Sequence, residues 1–176
     1  MHIIRGDIKA AVSLDDIKAV GRVEHDEDDT MLALLAASVT SEYCQRLNIA
    51  LLPETITVTF DTWLCNVPLR LPIGPLSEAN AATLTASQTI ETMQAIAPID
   101  LTTRHGERPT LTVNALPQGP LVVTYTAGLP AAPQHVRAAL AMQVMHQVDA
   151  QDVETQSRRY SPAFAAALNT RKRVSI

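Results

Sequence analysis

Apolar residues at Leu32, Leu35, Ala36, Val39, Tyr43 and Leu47 recur every three or four positions. That is the period of one stripe on an amphipathic helix, and it predicts a helix from about Asp29 to Asn48. Met31 and Leu34 widen the stripe, so the helix is expected to bury more than one side. A shorter helix is predicted upstream. Ser13 stands ahead of Asp16 in a near capping box, with Asp in place of Glu, and Leu14, Ile17 and Val20 then share one face as far as Gly21.

Beyond Pro53 the period changes to two. In ETITVTFDTW, Ile56, Val58 and Phe60 alternate with Thr55, Thr57, Thr59 and Asp61, the pattern of a half-buried strand. Further strands are predicted at LRLP (69–72), ATLTAS (82–87), IDLTT (99–103), TLTVN (110–114) and LVVTYTA (121–127). Turn signals at Gly74-Pro75, His105-Gly106 and Gly119-Pro120 divide them. Short, closely spaced strands favour antiparallel pairing, and the many threonines suit a pleated surface with one wet face. A helical period returns after Pro133, where Val136, Leu140 and Val144 form a stripe that Met145 and Val148 extend.

These elements predict an α+β fold. An N-terminal helix pair (about 13–21 and 29–48) precedes an inserted antiparallel β-sheet or small sandwich (about 54–128), and a helix over about 133–150 closes the body. One domain is expected over 1–150, followed by an extended C-terminal arm over 151–176. That last stretch has an apolar patch at Phe164, Ala165 and Leu168 but too little hydrophobicity for a core element by itself. No internal repeat or long linker is present.

Composition narrows the function. A chain of 176 residues with 47% hydrophobic and 18% charged residues reads as a soluble globular protein able to bury a core. Aromatic residues make up only 3%, leaving few platforms on which bases could stack. A net charge of −4 opposes a sequence-independent grip on DNA, which depends on cations neutralising phosphates. The charge is nevertheless graded along the chain: Asp7, Asp15, Asp16, Glu24, Asp26, Glu27, Asp28 and Asp29 face only Lys9, Lys18 and Arg22, whereas from Ser157 onward there are Arg158, Arg159, Arg171, Lys172 and Arg173 and no acid. MHIIRGDIKAAV lacks the features of a signal peptide, and Cys44 and Cys65 have no CxxC spacing, so an intracellular protein with reduced thiols is expected.

No arrangement of residues here carries recognisable catalysis. The acidic run EHDEDD fails as an EF-hand: counting twelve positions from Asp26 reaches Ala37, with no glycine between. Adjacent carboxylates in one exposed turn also lack the separated environments that acid–base work requires. The plain reading is that Asp28 or Asp29 caps the long helix while its neighbours favour the helix dipole. His2, His25, His105, His135 and His146 are scattered without HExxH or HxH spacing, and there is no GxSxG elbow or glycine-rich phosphate loop. Catalytic residues, metal ligands and cofactors are therefore all expected to be none. The tail reads either as a disordered terminus or as an arm that orders on an acidic partner, anchored by Tyr160, Phe164 and Leu168 and steered by its basic residues.

Taken in order, SLDDIKAVGRVEHDEDDTMLALLAASVTSEYCQRL, TITVTFDTW, LRLPIGPL, LVVTYTAGLP and PQHVRAALAMQVMHQ resemble the head–tail connector (adaptor) family of tailed bacteriophages. The ending SPAFAAALNTRKRV is similar to that family's C-terminus, whereas SEANAATLTASQTIETMQAIAP departs from it in being rich in Ala and Thr. The resemblance implies a structural virion protein with no enzymatic activity: a ring, typically of twelve copies, under the portal and extending the DNA channel to the tail. It implies as partners the portal protein, further copies of the chain, a downstream neck, stopper or tail protein, and double-stranded DNA passing without specific binding, with no membrane. The location implied is the virion neck, with host cytoplasm during assembly. On this reading Arg158, Arg159, Tyr160, Phe164, Leu168, Arg171, Lys172 and Arg173 form a portal-binding arm, and Asp26, Glu27, Asp28 and Asp29 a lumen-facing acidic patch. Neighbouring copies are expected to meet through the second helix and the β insert. The alternative is an intracellular regulatory or binding module whose basic tail contacts nucleic acid or an acidic protein.

Overall fold

A computed structural model of the chain describes residues 1–77, 84–89, 93–96, 101–152 and 160–172. It has the expected α+β class, with antiparallel strands between N-terminal and C-terminal helices. The chain forms two compact units that are interleaved along the sequence: Met1–Asp7 with Asn48–Pro130, and Ile8–Leu47 with Ala131–Ile176.

The first unit is all β. Its strands are β1 (His2–Arg5), β2 (Glu54–Phe60), β3 (Leu69–Arg70), β4 (Thr85–Thr89), β5 (Met93–Ala95), β6 (Leu101–Arg104), β7 (Thr110–Val113) and β8 (Leu121–Ala127). One sheet has the order β1-β2-β8-β4-β5 and the other β3-β7-β6, with every pairing antiparallel. The two-residue period explains the core. Ile56, Val58 and Phe60 lie opposite Tyr125, Val123 and Leu121, and all six side chains are buried. On the other face Thr57 and Thr124 join their hydroxyls at 3.2 Å, half in water as the threonines predict. Leu111 and Val113 of β7 bring the second sheet onto the same core, together with Trp63, Leu71, Ile73 and Leu76.

Polar anchors fix the edges of this unit. The Arg5 guanidinium donates to both carboxylate oxygens of Glu54, at 2.7 and 2.8 Å, and to the Ile49 carbonyl at 3.0 Å. This bidentate pair ties β1 to the start of β2, and Glu54 is only 5% exposed. Tyr125 donates its phenol hydrogen to the Ile73 carbonyl at 3.0 Å and accepts from the Ile73 N–H at 3.3 Å, so its buried oxygen is fully used. After β8, Gly128 takes φ +119, and any Cβ there would run into the Leu52 carbonyl.

The second unit is all α: α1 (Leu14–Gly21), α2 (Asp29–Leu47), α3 (Gln134–Asp152) and α4 (Pro162–Lys172). Ser13 caps α1 by accepting from the Asp16 N–H at 3.1 Å, as the near capping box predicts. The helix ends at Gly21, but the left-handed residue is Arg22 with φ 53. Gly21 serves close packing instead, since a Cβ there would collide with Met145 of α3. On α2, Leu32, Ala36, Val39, Thr40, Tyr43 and Cys44 are buried. Leu34, expected to widen the buried stripe, is 69% exposed. Thr40 earns its buried place by donating to the Ala36 carbonyl at 2.7 Å and accepting from Ala11 N–H at 3.2 Å.

The C-terminal segment departs most from the sequence reading. Residues 162–172 are helical rather than extended, and α4 packs against α2 and α3 of its own unit. Phe164 is 0% exposed and Leu168 is buried. Their spacing of four puts both on one face, and the alanines around them favour helix. The segment lacks hydrophobicity to be a core alone, but it completes a core that α2 and α3 begin. β1 and β5 are also additions to the predicted strands. Parts of two predicted strands, 82–83 and 99–100, lie outside the described residues.

Candidate functional site

The acidic stretch is the turn between α1 and α2. Lys18 of α1 reaches across it, with Nζ at 2.6 Å from both Asp26 Oδ1 and Asp29 Oδ1. The hydrogen bond from Lys18, followed by its charge, holds the Asp26 carboxyl below the ordinary carboxylate range. The same bonds, Asp26 first and then Asp29, push the Lys18 ammonium above its ordinary value. Asp28 lies 3.8 Å from His25 Nδ1. Asp28 and Asp29, one or other of which was the expected cap of α2, thus both face other side chains, and the helix start is fixed by backbone, with Leu32 N–H donating to the Asp28 carbonyl at 2.9 Å. Asp26 is 88% exposed at its side chain and Glu27 is exposed. Four acids met by one lysine leave a negative, solvated turn.

The residues assigned to the arm separate into two groups. Tyr160, Phe164 and Leu168 sit inside the helical unit. Phe164 stacks at a tilt between Tyr43 and Tyr160, with ring centroids 5.7 and 5.4 Å away. Tyr160 donates to Glu42 Oε1 at 2.7 Å, and its ring lies under the Arg46 guanidinium at 5.0 Å. Ser161 begins α4: its N–H donates to the buried Gln143 Oε1 at 2.7 Å, and its Oγ accepts from Phe164 N–H at 3.3 Å. These three apolar residues therefore hold α4 to the chain's own helices. The basic residues form the other group. Arg171 and Lys172 belong to the last turn of α4, and Arg158, Arg159 and Arg173 lie outside the described residues.

Among the described residues, no group of three or more His, Cys, Asp and Glu could hold a metal ion. An open groove of about 580 Å³ runs along α2, lined by Ser38, Ser41, Glu42, Gln45 and Arg46. Its charged groups pair with each other, Arg46 Nε donating to Glu42 Oε1 at 3.1 Å. Cys44 is buried, and Cys65 is half-buried with its thiol 3.9 Å from Asn114 Oδ1.

Sequence reasoning missed an apolar corner of the β unit. Ile3 and Ile4 of β1 are exposed, as are Leu64, Val67 and Leu116 on two adjoining loops. The loops are pinned by Asn66 N–H on the Val113 carbonyl and by Trp63 Nε1 on the Gly119 carbonyl, each at 2.9 Å. The Met1 ammonium lies 2.7 Å from Asp61 Oδ2 and brings β1 beside them. The adjacent isoleucines of MHIIRG were the one available signal.

A helical unit and a two-sheet antiparallel unit that alternate along the sequence make an α+β fold with charged and apolar surface. No family model matches the chain, and no curated protein matches it. Solved structures share its fold. A chain from the virion of a native gene transfer agent (GTA) particle superposes with a TM-score of 0.74 at 16% identity, covering 97% of this chain and 94% of that one. A chain from the neck of an empty GTA particle, computed with C6 symmetry, gives a TM-score of 0.70 at 13% identity over 90% and 87%. A third, from the neck of a native GTA particle computed with C12 symmetry, gives 0.59 at 18% identity over 90% and 88%. At these identities the likeness is one of fold.

Proposed function

We propose that the chain is a structural protein of the neck of a phage-like particle, a head–tail connector that forms a ring, dodecameric, beneath the portal and carries the DNA channel towards the tail. The observation that supports this is the near full-length match of its fold to a chain of a GTA virion, with 97% of this chain covered. The connector-like motifs of the sequence point the same way independently. The role needs no cofactor and no catalysis. It places the mature protein in the virion neck, after assembly in the host cytoplasm, with the portal above, copies of itself alongside and a stopper or tail protein below.

In this reading the basic residues Arg158, Arg159, Arg171, Lys172 and Arg173 dock on the portal, and Tyr160, Phe164 and Leu168 position them by fastening α4 to the helical unit. Many copies of a short arm supply avidity that one lacks. Asp26, Glu27, Asp28 and Asp29 face the passing DNA and repel its phosphates, with Lys18 reducing that charge.

The test is to mix the purified chain with the portal ring of the same genome and image the complex. Truncation before α4 would also remove Phe164, so the diagnostic variant is the triple reversal Arg171→Glu, Lys172→Glu, Arg173→Glu. A ring of copies on one face of the portal, lost in the variant, is the expected result. Binding that survives the reversal moves the anchor to the folded body, and no binding by the unaltered chain refutes the connector role. Binding to duplex DNA that falls steeply as salt rises would favour a regulatory module instead.

A further inference from the structure

The apolar corner has a polar counterpart in the backbone. Gly6 N–H donates to the Thr55 carbonyl at 2.9 Å, so alternation along β1 turns His2 and Ile4 towards β2. Ile3 then points its N–H and C=O away from the sheet. Its side chain lies on the same face as Val58 and that of Ile4 on the face of Thr57, yet both isoleucines are exposed. An edge strand that is apolar on both faces and unblunted by proline or charge at Ile3–Ile4 is a template for another strand. At the opposite end of the same sheet, Ile96 N–H bonds the Ala86 carbonyl at 2.8 Å, which by the same alternation turns the backbone of Met93 and Ala95 in β5 outward.

We propose that β1 is an interface between copies of this chain, and that its occupant is the β5 edge of the next copy. This rests on the neck reading above. The five strands are all antiparallel, so β1 and β5 run in the same direction. A copy related by a small rotation about a ring axis keeps that direction and lays its β5 parallel to β1. Two different edges meeting in this way form a head-to-tail contact, which closes into a ring, whereas β1 against β1 would be antiparallel and stop at a dimer. Exposed Ile4, Leu64, Val67 and Leu116 add apolar surface at this corner, where the Met1 ammonium is paired with the Asp61 carboxylate. Apolar side chains beside a cation already paired suit a protein neighbour and not phosphates.

The test uses the full chain in a Cys65→Ser background, alone at high concentration and bound to the portal ring. Ile3→Cys is combined with Met93→Cys or with Ala95→Cys, because neighbouring strands bring Cα atoms within disulfide reach. Oxidation is expected to give a ladder of covalent oligomers beyond the dimer with at least one of these pairs and with neither cysteine alone. Ile3→Pro removes an outward N–H without touching the β1–β2 pairing, and should raise the concentration needed for self-association by about tenfold or more. Dimers formed by Ile3→Cys alone, absence of a ladder with both pairs, or Ile3→Pro rings as stable as the unaltered ones would overturn the proposal. Portal binding is scored separately. A ladder without portal binding leaves the strand pairing standing and fails the neck reading, while a portal-bound ring without cross-links does the reverse.

Discussion

Replacing Phe164 by alanine removes a ring that is 0% exposed and sits between Tyr43 and Tyr160. A buried aromatic side chain withdraws about 150–250 Å² from water, so at about 25 cal/mol per Å² the lower figure alone is worth about 4 kcal/mol. Cavity formation and lost ring contacts add to this, and relaxation of α4 subtracts, which keeps the expected loss within the roughly 3–5 kcal/mol typical of buried Phe→Ala changes. That is a large part of the roughly 5–15 kcal/mol by which a domain is stable. With a urea slope of about 2 kcal/mol/M, the midpoint of the helical circular-dichroism transition should fall by about 2 M. The contrast with an arm that orders only on its partner is complete, because in that case the substitution would leave the free chain's midpoint unmoved. A shift below about 0.3 M, which is roughly 0.5 kcal/mol and typical of a surface change, would refute the packing of α4 described above.

The ion pair of β1 gives a second expectation. Arg5→Ala leaves the Glu54 carboxylate 5% exposed without its bidentate partner, and should cost about 3–5 kcal/mol in unfolding followed by the fluorescence of Trp63, a residue of the same unit. The double change Arg5→Met, Glu54→Leu should recover most of that loss. A third concerns alkaline pH. Burial pushes the Tyr125 phenol up to about 12, against the bonds to Ile73 that lower it. An unfolded tyrosine releases its proton near pH ~10, so between about 10 and 12 the unfolded state binds fewer protons and stability falls as pH rises. Unfolding titrations from about pH 9 to 12 should show the natural chain losing roughly 2 kcal/mol more than Tyr125→Phe. Equal losses would mean that the phenol is not held protonated by the fold.

What could be read from the sequence depended on how long each pattern ran. β2 and β8 alternate over seven residues each, and α2 keeps its stripe over nineteen, so periodicity alone gives their type and bounds within a residue or two. β1 is only His-Ile-Ile-Arg and β5 only Met-Gln-Ala, too short for a period of two to declare itself, and both owe their pairing to distant strands. In the sequence α4 shows as an amphipathic patch and not as a core element. Its burial depends on Tyr43 and Gln143, more than a hundred and about twenty positions away, which no local window connects. The acidic run was legible as a helix start. That its charge is shared with Lys18 was not, because the lysine belongs to the preceding helix. The basic tail and the acidic turn were visible as charge, whereas the free edge of β1 requires knowing which hydrogen bonds the backbone has left over.

The interleaving of the two units governs the order in which the chain can fold as it is made. β1 has no partner until β2 appears roughly fifty residues later, and α1 and α2 wait across the whole β insert for α3. At roughly 5–20 residues per second on a ribosome, those delays are on the order of 3–10 s and 4–17 s. Through that time Ile17, Leu32, Val39 and Tyr43, all buried at the end, remain without their later partners, while residues 48–130 emerge as one continuous stretch. The β insert is therefore the first part able to close most of its own core. β1 must be recaptured by β2 afterwards and α1 and α2 must wait for α3 to complete their own unit, so a nascent chain stalled before residue 134 should remain a client for chaperones.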